Sequence, residues 1–250
     1  MKTLLTMAAA SLAALGILAG CAQQAGLPSG SVTFDFEADD AGFTPSYADY
    51  PNSEGVEEFY EFRHAYGEIP IDRAGKGIFI SGNNHSDDLF MGYVKRLEGL
   101  APGQSYRFTL SFRLATDVEG GLVGVGGAPG EGVTVKCGVT STQPVSDPDG
   151  DGPFAHYRLN IDAGPQGNGG KDMVVVGDMA KPENNRPGEY EFKQFQAQVT
   201  AAANAQGKVF LIIGTDSGFE ATTSYYLDDI QVAWEGAEQP PAGGSAQPAA

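Results

Sequence analysis

Three aspartates at alternating positions, Asp147, Asp149 and Asp151, form one potential set of metal ligands. Alternate carboxylates can converge on one hard cation such as calcium, and Gly152 allows the sharp turn that such a loop requires. Arg158 stands at the twelfth loop position, where an EF-hand needs glutamate, and no helical pattern flanks the loop, so an EF-hand is excluded. Two interpretations stay open: a calcium loop in a β-hairpin, and an acidic turn in solvent.

The segment from residue 81 to 88, Ser-Gly-Asn-Asn-His-Ser-Asp-Asp, is a polar run between two apolar segments. Loops on a rigid scaffold often carry binding residues. Asn83, Asn84, His85 and Asp87 supply hydrogen-bonding groups for the hydroxyls of a sugar, and His85 with Asp87 could also ligate a metal. The alternative is a polar turn in which asparagine side chains bond to the neighbouring backbone.

The segment from residue 43 to 66 is rich in aromatic residues. Aromatic rings that stay exposed can stack on the apolar faces of sugar rings, whereas buried rings fill the core. We assign Tyr47, Tyr50 and Tyr66 as candidate ligand-binding residues, with core packing as the alternative for part of the group. The single tryptophan, Trp234, falls on the apolar side of an alternating segment and is predicted to belong to the core.

The N-terminal residues 1–20 have the features of a secretory signal peptide. Lys2 gives a positively charged start, and an apolar run follows from Leu4 to Leu18. This run is shorter than the ~20 apolar residues of a membrane-spanning helix. The pattern therefore indicates export followed by cleavage.

The residues Leu18-Ala19-Gly20-Cys21 resemble the lipobox of bacterial lipoproteins, whose cysteine thiol receives a diacylglycerol before cleavage. The resemblance implies a lipoprotein signal peptide over 1–20, lipidation of Cys21 and a lipidated tether over 21–30. It also implies that the chain is held at a membrane through Cys21 in the cell envelope. In a Gram-negative cell, Ala22 rather than aspartate after the cysteine implies the outer membrane.

The formal net charge of −17 narrows the classes of partner. Because the chain is so acidic, it repels nucleic acid and anionic lipid headgroups. Nucleic acid is therefore not expected as a partner, and a basic patch does not hold the chain at a membrane. Acidity favours divalent cations. With Cys21 committed to lipid, Cys137 has no cysteine to pair with, and its place in an alternating apolar segment predicts a buried hydrophobe.

Alternation of apolar and polar residues is the dominant pattern between residues 31 and 234. The clearest run places Tyr106, Phe108, Leu110, Phe112 and Leu114 on one side of a strand. Glycine and proline turns separate about ten such segments, and no sustained helical stripe is present. We therefore predict an all-β fold, a two-sheet antiparallel β-sandwich over 31–234. Residues 235–250 lack the apolar residues of a core and are predicted to form a disordered C-terminal tail.

Three segments together resemble the jelly-roll carbohydrate-binding modules of the galactose-binding-like superfamily. They are the opening strand at residues 32–37, the Leu-Ala-Pro-Gly turn entering a long strand at residues 97–108, and the closing strand at residues 224–232. The resemblance implies a sandwich of jelly-roll type in which the first and last strands lie side by side. It leaves the function open, because this fold hosts many roles.

The same resemblance implies a structural calcium ion where the first and last strands meet. The matching positions here are Asp35 and Glu37 on the opening strand and Asp228 and Asp229 on the closing strand. Calcium takes six to eight hard oxygen ligands, which carboxylates and backbone carbonyls supply. The alternative is that these carboxylates are strand-end charges in water.

The leading hypothesis is a membrane-anchored extracytoplasmic binding module for carbohydrate with structural calcium. One alternative is an envelope structural or assembly lipoprotein that binds another envelope protein. A second is a polysaccharide-acting hydrolase or lyase, which needs carboxylates and a histidine in one cleft. No catalytic residue is assigned, because pairs such as Glu57 and Glu61 arise easily among 32 acidic residues.

Overall fold

The computed structural model describes residues 27–152, 154–183 and 186–237. The predicted signal peptide, Cys21, most of the tether and residues 238–250 lie outside the described residues, so the predictions made for them stay predictions. Within the described ranges, no helix has the length and apolar character needed to cross a membrane.

The described residues form fourteen strands and one helical turn. In chain order they are β1 (Gly30–Phe34), β2 (Thr44–Ala48), β3 (Tyr50–Pro51), α1 (Val56–Phe59), β4 (Arg63–Glu68), β5 (Lys76–Asn83), β6 (Leu89–Leu97), β7 (Ser105–Thr116), β8 (Val133–Thr140), β9 (Ser146–Pro148), β10 (His156–Leu159), β11 (Val174–Asp178), β12 (Glu191–Ala202), β13 (Val209–Ser217) and β14 (Thr222–Gly236).

The strands pair into two main antiparallel sheets. The six-stranded sheet has the order β12-β7-β14-β5-β4, with β1 also paired to β14, and the five-stranded sheet has the order β11-β8-β13-β6-β2. A small third sheet, β3-β10-β9, lies outside these two. The first and last strands are neighbours, with Val32 opposite Val232. The predicted two-sheet antiparallel β-sandwich of jelly-roll type is confirmed.

The core between the sheets follows from the alternation in the sequence. In β7, the five apolar residues from Tyr106 to Leu114 are all buried, whereas Arg107 and Thr109 between them are exposed. Each strand therefore turns one apolar face inward. Cys137 also lies in this core, as predicted, and burial raises the pKa of its thiol to about 12.

The five-stranded sheet is unusual because its outer face is also covered. A second apolar cluster on that face contains Phe90, Val94 and Ile212 together with Met173 from the segment after β8, and Leu159 and Ile161 of the same segment pack against it. Strands β8 and β13 are consequently buried along their whole length. We refer to residues 141–173 as the covering segment.

The domain is slightly longer than the sequence predicted. Strand β14 continues to Gly236, which is paired with Tyr106, and Glu235 forms an ion pair with Arg107 at 3.0 Å. The last strand therefore extends two residues beyond the predicted boundary at residue 234. Backbone pairing with β7 holds these two residues in the sheet, although Glu235 is exposed and Gly236 has no side chain to bury.

Candidate functional site

A groove lies where β2, β4 and the start of the covering segment meet. It has a volume of about 460 Å³ and is open to solvent. Its lining is half apolar and half polar in character, with three aromatic rings beside several hydrogen-bonding side chains. These residues are Tyr47, Tyr50, Phe62, Ser46, Glu57, His64 and Gln143.

The aromatic residues of the groove form a continuous layer of rings. Tyr47 is stacked on Phe62 with ring centroids 4.1 Å apart and planes 20° apart. Phe62 meets Tyr50 edge to face at 4.9 Å, and Tyr50 is stacked on Tyr157 of β10 at 4.8 Å. Such contacts fix the orientation of each ring. The rings are therefore held in fixed orientations, with Tyr47 and Phe62 partly exposed to the groove and Tyr50 buried at 6% exposure.

Short segments of chain set the orientation of these rings. Strand β2 pairs with β6, with Tyr47 opposite Met91, and the Tyr47 hydroxyl donates to the carbonyl oxygen of Arg63 at 2.8 Å. Burial, with Glu57 nearby, raises the pKa of Tyr50 to about 12, and burial likewise raises the pKa of Tyr47. Both phenols are thus neutral at physiological pH.

Tyr66, the third predicted stacking residue, lies outside the lining of this groove. Its hydroxyl donates to the carbonyl oxygen of Phe36 at 2.7 Å, and the Lys76 ammonium lies 5.5 Å from its ring centroid. The structure therefore brings Tyr47 and Tyr50 together in one groove and places Tyr66 in a contact between β4 and the chain that follows β1.

Residues 81–83 of the 81–88 segment belong to β5, and residues 84–88 form a polar turn, which was the alternative interpretation. Asn84 is buried, and its side-chain amide donates to the carbonyl oxygens of Ser217 and Phe219 at 2.9 and 3.1 Å. Its Oδ1 accepts a hydrogen bond from the backbone of Ser86. Asn83 donates its backbone N–H to Tyr60 at 2.6 Å. These two asparagines fix the loop in place.

His85 and Asp87 are the exposed residues of the same loop. The imidazole of His85 is stacked on Phe59 at 4.2 Å and meets Tyr60 edge to face. Asp87 adopts a left-handed backbone conformation with φ of 58° and accepts a hydrogen bond from Gln166 through its carbonyl oxygen. Neither residue lines the groove described above.

The predicted calcium ligands on the closing strand make other contacts. Asp228 is buried, and its Oδ2 lies 2.5 Å from the Arg113 guanidinium of β7. The register between β14 and β7 shifts just after Asp228, and Asp229 accepts a hydrogen bond from Gln231 at 3.0 Å. Asp228 is therefore one half of an ion pair across the sheet.

The predicted calcium ligands on the opening strand, Asp35 and Glu37, are exposed. Asp35 Oδ1 accepts a hydrogen bond from the backbone of Glu37 at 3.3 Å. Among the described residues, these two carboxylates do not join Asp228 and Asp229 in a group of three convergent ligand atoms. Calcium at this junction stays a prediction.

The 147–151 loop forms the hairpin between β9 and β10. Asp147 lies opposite Arg158, and Asp149 Oδ1 accepts a hydrogen bond from the backbone of His156 at 2.8 Å. Asp149 Oδ2 is 3.8 Å from Arg158 Nε, and Asp151 is exposed. Within the described residues the three aspartates do not converge into one ligand group.

A different group of carboxylates does converge, and sequence reasoning missed it. Asp49, Asp88 and Asp216 each offer an oxygen, and these atoms all lie within 4.8 Å of one another. Burial, followed by the charges of Asp49 and Asp216, raises the pKa of Asp88 to about 6. No local spacing could have revealed this group, because its members come from three distant parts of the chain.

The described residues thus define a β-sandwich domain with a preformed aromatic groove and a separate carboxylate cluster. No family model matches the sequence, and no curated protein matches it either. Solved structures that resemble it include carbohydrate-binding modules with a β-sandwich fold.

Three of these structures illustrate the likeness. The family 11 carbohydrate-binding module of the Clostridium thermocellum cellulosomal cellulase Lic26A-Cel5E shares 11% identity over 84% of this chain and 96% of that one, with a TM-score of 0.38. The mannan-recognising module TmCBM27 shares 9% sequence identity over 84% of this chain and 99% of its own, with a TM-score of 0.39. The CBM22-1–GH10 modules of C. thermocellum xylanase 10B, complexed with xylohexaose, share 14% sequence identity over 85% of this chain and 30% of their own, with a TM-score of 0.40.

The domain spans only part of two of the matched chains. It covers 30% of the xylanase chain and 59% of a chain described as a carbohydrate-binding module of the β-sandwich superfamily.

Proposed function

We propose that this domain binds carbohydrate in the groove lined by Tyr47, Tyr50 and Phe62. The observation that carries the proposal is the fixed aromatic layer at the floor of an open groove. Sugar rings have apolar faces of axial C–H groups and a rim of hydroxyls. A ligand of this shape matches an aromatic surface flanked by polar side chains.

Polar groups around the rings supply the hydrogen bonds that such a ligand needs. Glu57 and His64 are exposed at the edge of the groove, and Ser46 and Gln143 also line it. A carboxylate accepts two hydroxyl hydrogens, and an amide both donates and accepts. The volume of about 460 Å³ falls in the range of small-molecule sites and accommodates a short stretch of an oligosaccharide.

A glycan panel tests this proposal. The full-length chain is applied to soluble oligosaccharides that include xylohexaose, mannan fragments and β-1,4-galactotriose, and the dissociation constant of any ligand is then measured by calorimetry. We expect His64→Ala and Glu57→Gln, both at exposed positions, to weaken binding by about tenfold each, because each loses one or two hydrogen bonds. Tyr66→Phe is the matched control, since Tyr66 lies outside the groove.

Two results would contradict carbohydrate binding in this groove. The first is a panel without any binding. The second is a ligand whose affinity is unchanged in both groove variants while their unfolding curves match that of the unmodified chain. For any ligand that is found, Tyr47→Ala, which removes one ring from the stacked layer, measures how much ring stacking contributes to the affinity.

We further propose that the chain is a lipoprotein held at a membrane of the cell envelope through Cys21. Support comes from the lipobox-like residues before Cys21 and from the signal-peptide pattern. Several acyl chains on one residue give stable anchoring, which a single chain does not. The test is the mass of the N-terminal peptide together with membrane fractionation. Cys21→Ser is expected to move the protein from the membrane to the soluble fraction, and an unchanged distribution would contradict the anchor.

A second candidate function, binding to another envelope protein, is favoured by one observation. In the loop after β7, Leu122, Val123 and Val125 are 43%, 97% and 68% exposed. Exposed apolar side chains that lie close together commonly mark interaction sites. A photo-activatable cross-linker at position 123 tests this function: a defined cross-linked protein in intact cells supports it, and a chain that stays uncrosslinked there but crosslinks elsewhere speaks against it.

A further inference from the structure

The carboxylates Asp49, Asp88 and Asp216 meet at the outer face of the five-stranded sheet. Asp49 connects β2 to β3, Asp88 directly precedes β6, and Asp216 is near the end of β13. One oxygen of each lies within 4.8 Å of the others. Two oxygens that bind one calcium ion at about 2.3–2.6 Å are at most about 5 Å apart. The separation of these oxygens therefore fits a shared calcium ion.

Asp216 supplies an independent reason to expect a ligand there. Its side chain is only 3% exposed, and its Oδ2 lies 2.7 Å from the Lys136 ammonium. Its Oδ1 is buried and has no hydrogen-bond partner. A buried carboxylate oxygen without a partner carries a large desolvation cost. A bound cation would remove that cost.

The charges around the cluster do not cancel. Arg158 lies 2.6 Å from Asp49, 3.4 Å from Asp88 and 3.8 Å from Asp149, and Lys136 contacts Asp216. The three carboxylates of the cluster, together with Asp149 beside Arg158, thus face two basic side chains. This leaves an excess of two negative charges around the site. One divalent cation would neutralise this excess.

We propose that Asp49, Asp88 and Asp216 bind a calcium ion that ties the connection between β2 and β3 to the start of β6 and the end of β13, beneath the covering segment. An all-oxygen ligand set selects a hard cation, and calcium is favoured over magnesium because magnesium demands a near-ideal octahedral geometry and usually keeps several of its waters. Access is open on one side, since the side chains of Asp49 and Asp88 are 20% and 36% exposed. This site is separate from the strand junction and from the hairpin that the sequence suggested, and it does not depend on carbohydrate binding.

The mechanical consequence follows from the neighbours of the ion. Asp49 donates its backbone N–H to Tyr157 of the covering segment at 2.7 Å, and Arg158 of the same strand contacts the cluster. A cation bound to all three carboxylates would tie β6, β13 and the chain between β2 and β3 together beneath β10. Binding to the folded state alone raises the temperature of unfolding as the calcium concentration rises.

Calorimetry and thermal unfolding of the purified full-length chain at pH 7.5 test the site. After treatment with EDTA and dialysis, the chain is titrated with calcium chloride, and magnesium chloride is used at the same ionic strength. We expect a dissociation constant below about 1 mM, as in extracellular calcium modules. Saturating calcium should raise the unfolding temperature by roughly 5–10 °C.

The decisive variant is Asp88→Asn, because Asp88 is the most exposed member of the cluster. We expect it to weaken calcium binding at this site by tenfold or more. In EDTA the variant should be at least as stable as the unmodified chain, because it removes repulsion with Asp49 and Asp216. Asp49→Asn is the second variant. Asp72→Asn, which changes an exposed aspartate of the loop before β5, is the control.

Three outcomes would overturn the inference. One is no calcium binding up to 10 mM, which is about ten times the weakest constant expected. Another is calcium binding that Asp88→Asn and Asp49→Asn leave intact but that the double variant of Asp147 and Asp151 abolishes. The third is an unfolding temperature that rises equally with calcium and magnesium in all variants, which would show general charge screening.

Discussion

The buried ion pair between Lys136 and Asp216 allows the sharpest stability prediction. Lys136 is completely buried on the outer face of β8, and its ammonium donates to Asp216 Oδ2 at 2.7 Å and to the carbonyl oxygen of Gly164 at 2.8 Å. The change Lys136→Met keeps a long side chain of similar volume and removes the charge. Asp216 then remains buried without a counter-charge.

The magnitude follows from the exposure of the partner. Removing one member of a buried ion pair typically costs about 3–5 kcal/mol, because the other charge is left uncompensated. Both side chains of this pair are almost fully buried, at 0% and 3% exposure, so we expect a cost within this range. Against a typical stability of about 5–15 kcal/mol, the variant loses about a fifth or more of its free energy of unfolding.

Urea unfolding in EDTA at pH 7.5 measures this cost. Chains carrying Lys136→Met, Asp216→Leu and both changes complete a double-mutant cycle. We expect the double variant to be more stable than the sum of the single changes predicts, because two apolar side chains replace a pair of charges.

The pH dependence has a definite sign. Burial raises the pKa of Asp216 in the folded state, and the loss of Lys136 removes a group that lowers it. A carboxyl whose pKa is raised on folding destabilises the protein above that pKa and loses this effect when protonated. The Lys136→Met deficit should therefore shrink at lower pH. A deficit below about 1 kcal/mol at pH 7.5, or one independent of pH and of Asp216, would refute this reasoning.

Three further predictions follow from single contacts. In EDTA, the free energy of unfolding should fall by about 1 kcal/mol between pH 5 and pH 7 because the pKa of the half-exposed Asp88 is about 6; Asp88→Asn should flatten this slope, and an equal slope would contradict it. Gly92→Ala should cost about 1–3 kcal/mol in urea unfolding, since its Cβ would lie 2.5 Å from the Ile213 carbonyl oxygen. Arg113→Met should cost about 2 kcal/mol because it leaves buried Asp228 unpaired, and a neutral result would show that the pair contributes nothing.

The sequence predicted the strand content and the inward-facing residues, because successive side chains of a strand point to opposite faces of the sheet. The alternation through β7 predicted which of its residues are buried, and the aromatic stretch contained Tyr47 and Tyr50, which do line one groove. Local patterns determine which side of a strand is apolar.

Other side chains have partners that the local pattern does not record. Tyr66 has the same character as Tyr47 yet bonds to Phe36, and Asn84 has a polar side chain yet is buried to hold a turn. Asp228 matches a calcium pattern, but Arg113 on the neighbouring strand occupies it. Partners of this kind come from the pairing of distant strands, which no spacing in the sequence records.

The sequence by itself determined the β-sandwich, the alternation that fills its core and the acidic balance that disfavours nucleic acid. Only the tertiary structure decided that the covering segment closes the outer face of the five-stranded sheet, so that β8 and β13 are buried on both faces. It also decided which aspartates converge, because Asp49, Asp88 and Asp216 are far apart along the chain. Local patterns are fixed by the geometry of one strand, whereas a site depends on which strands become neighbours.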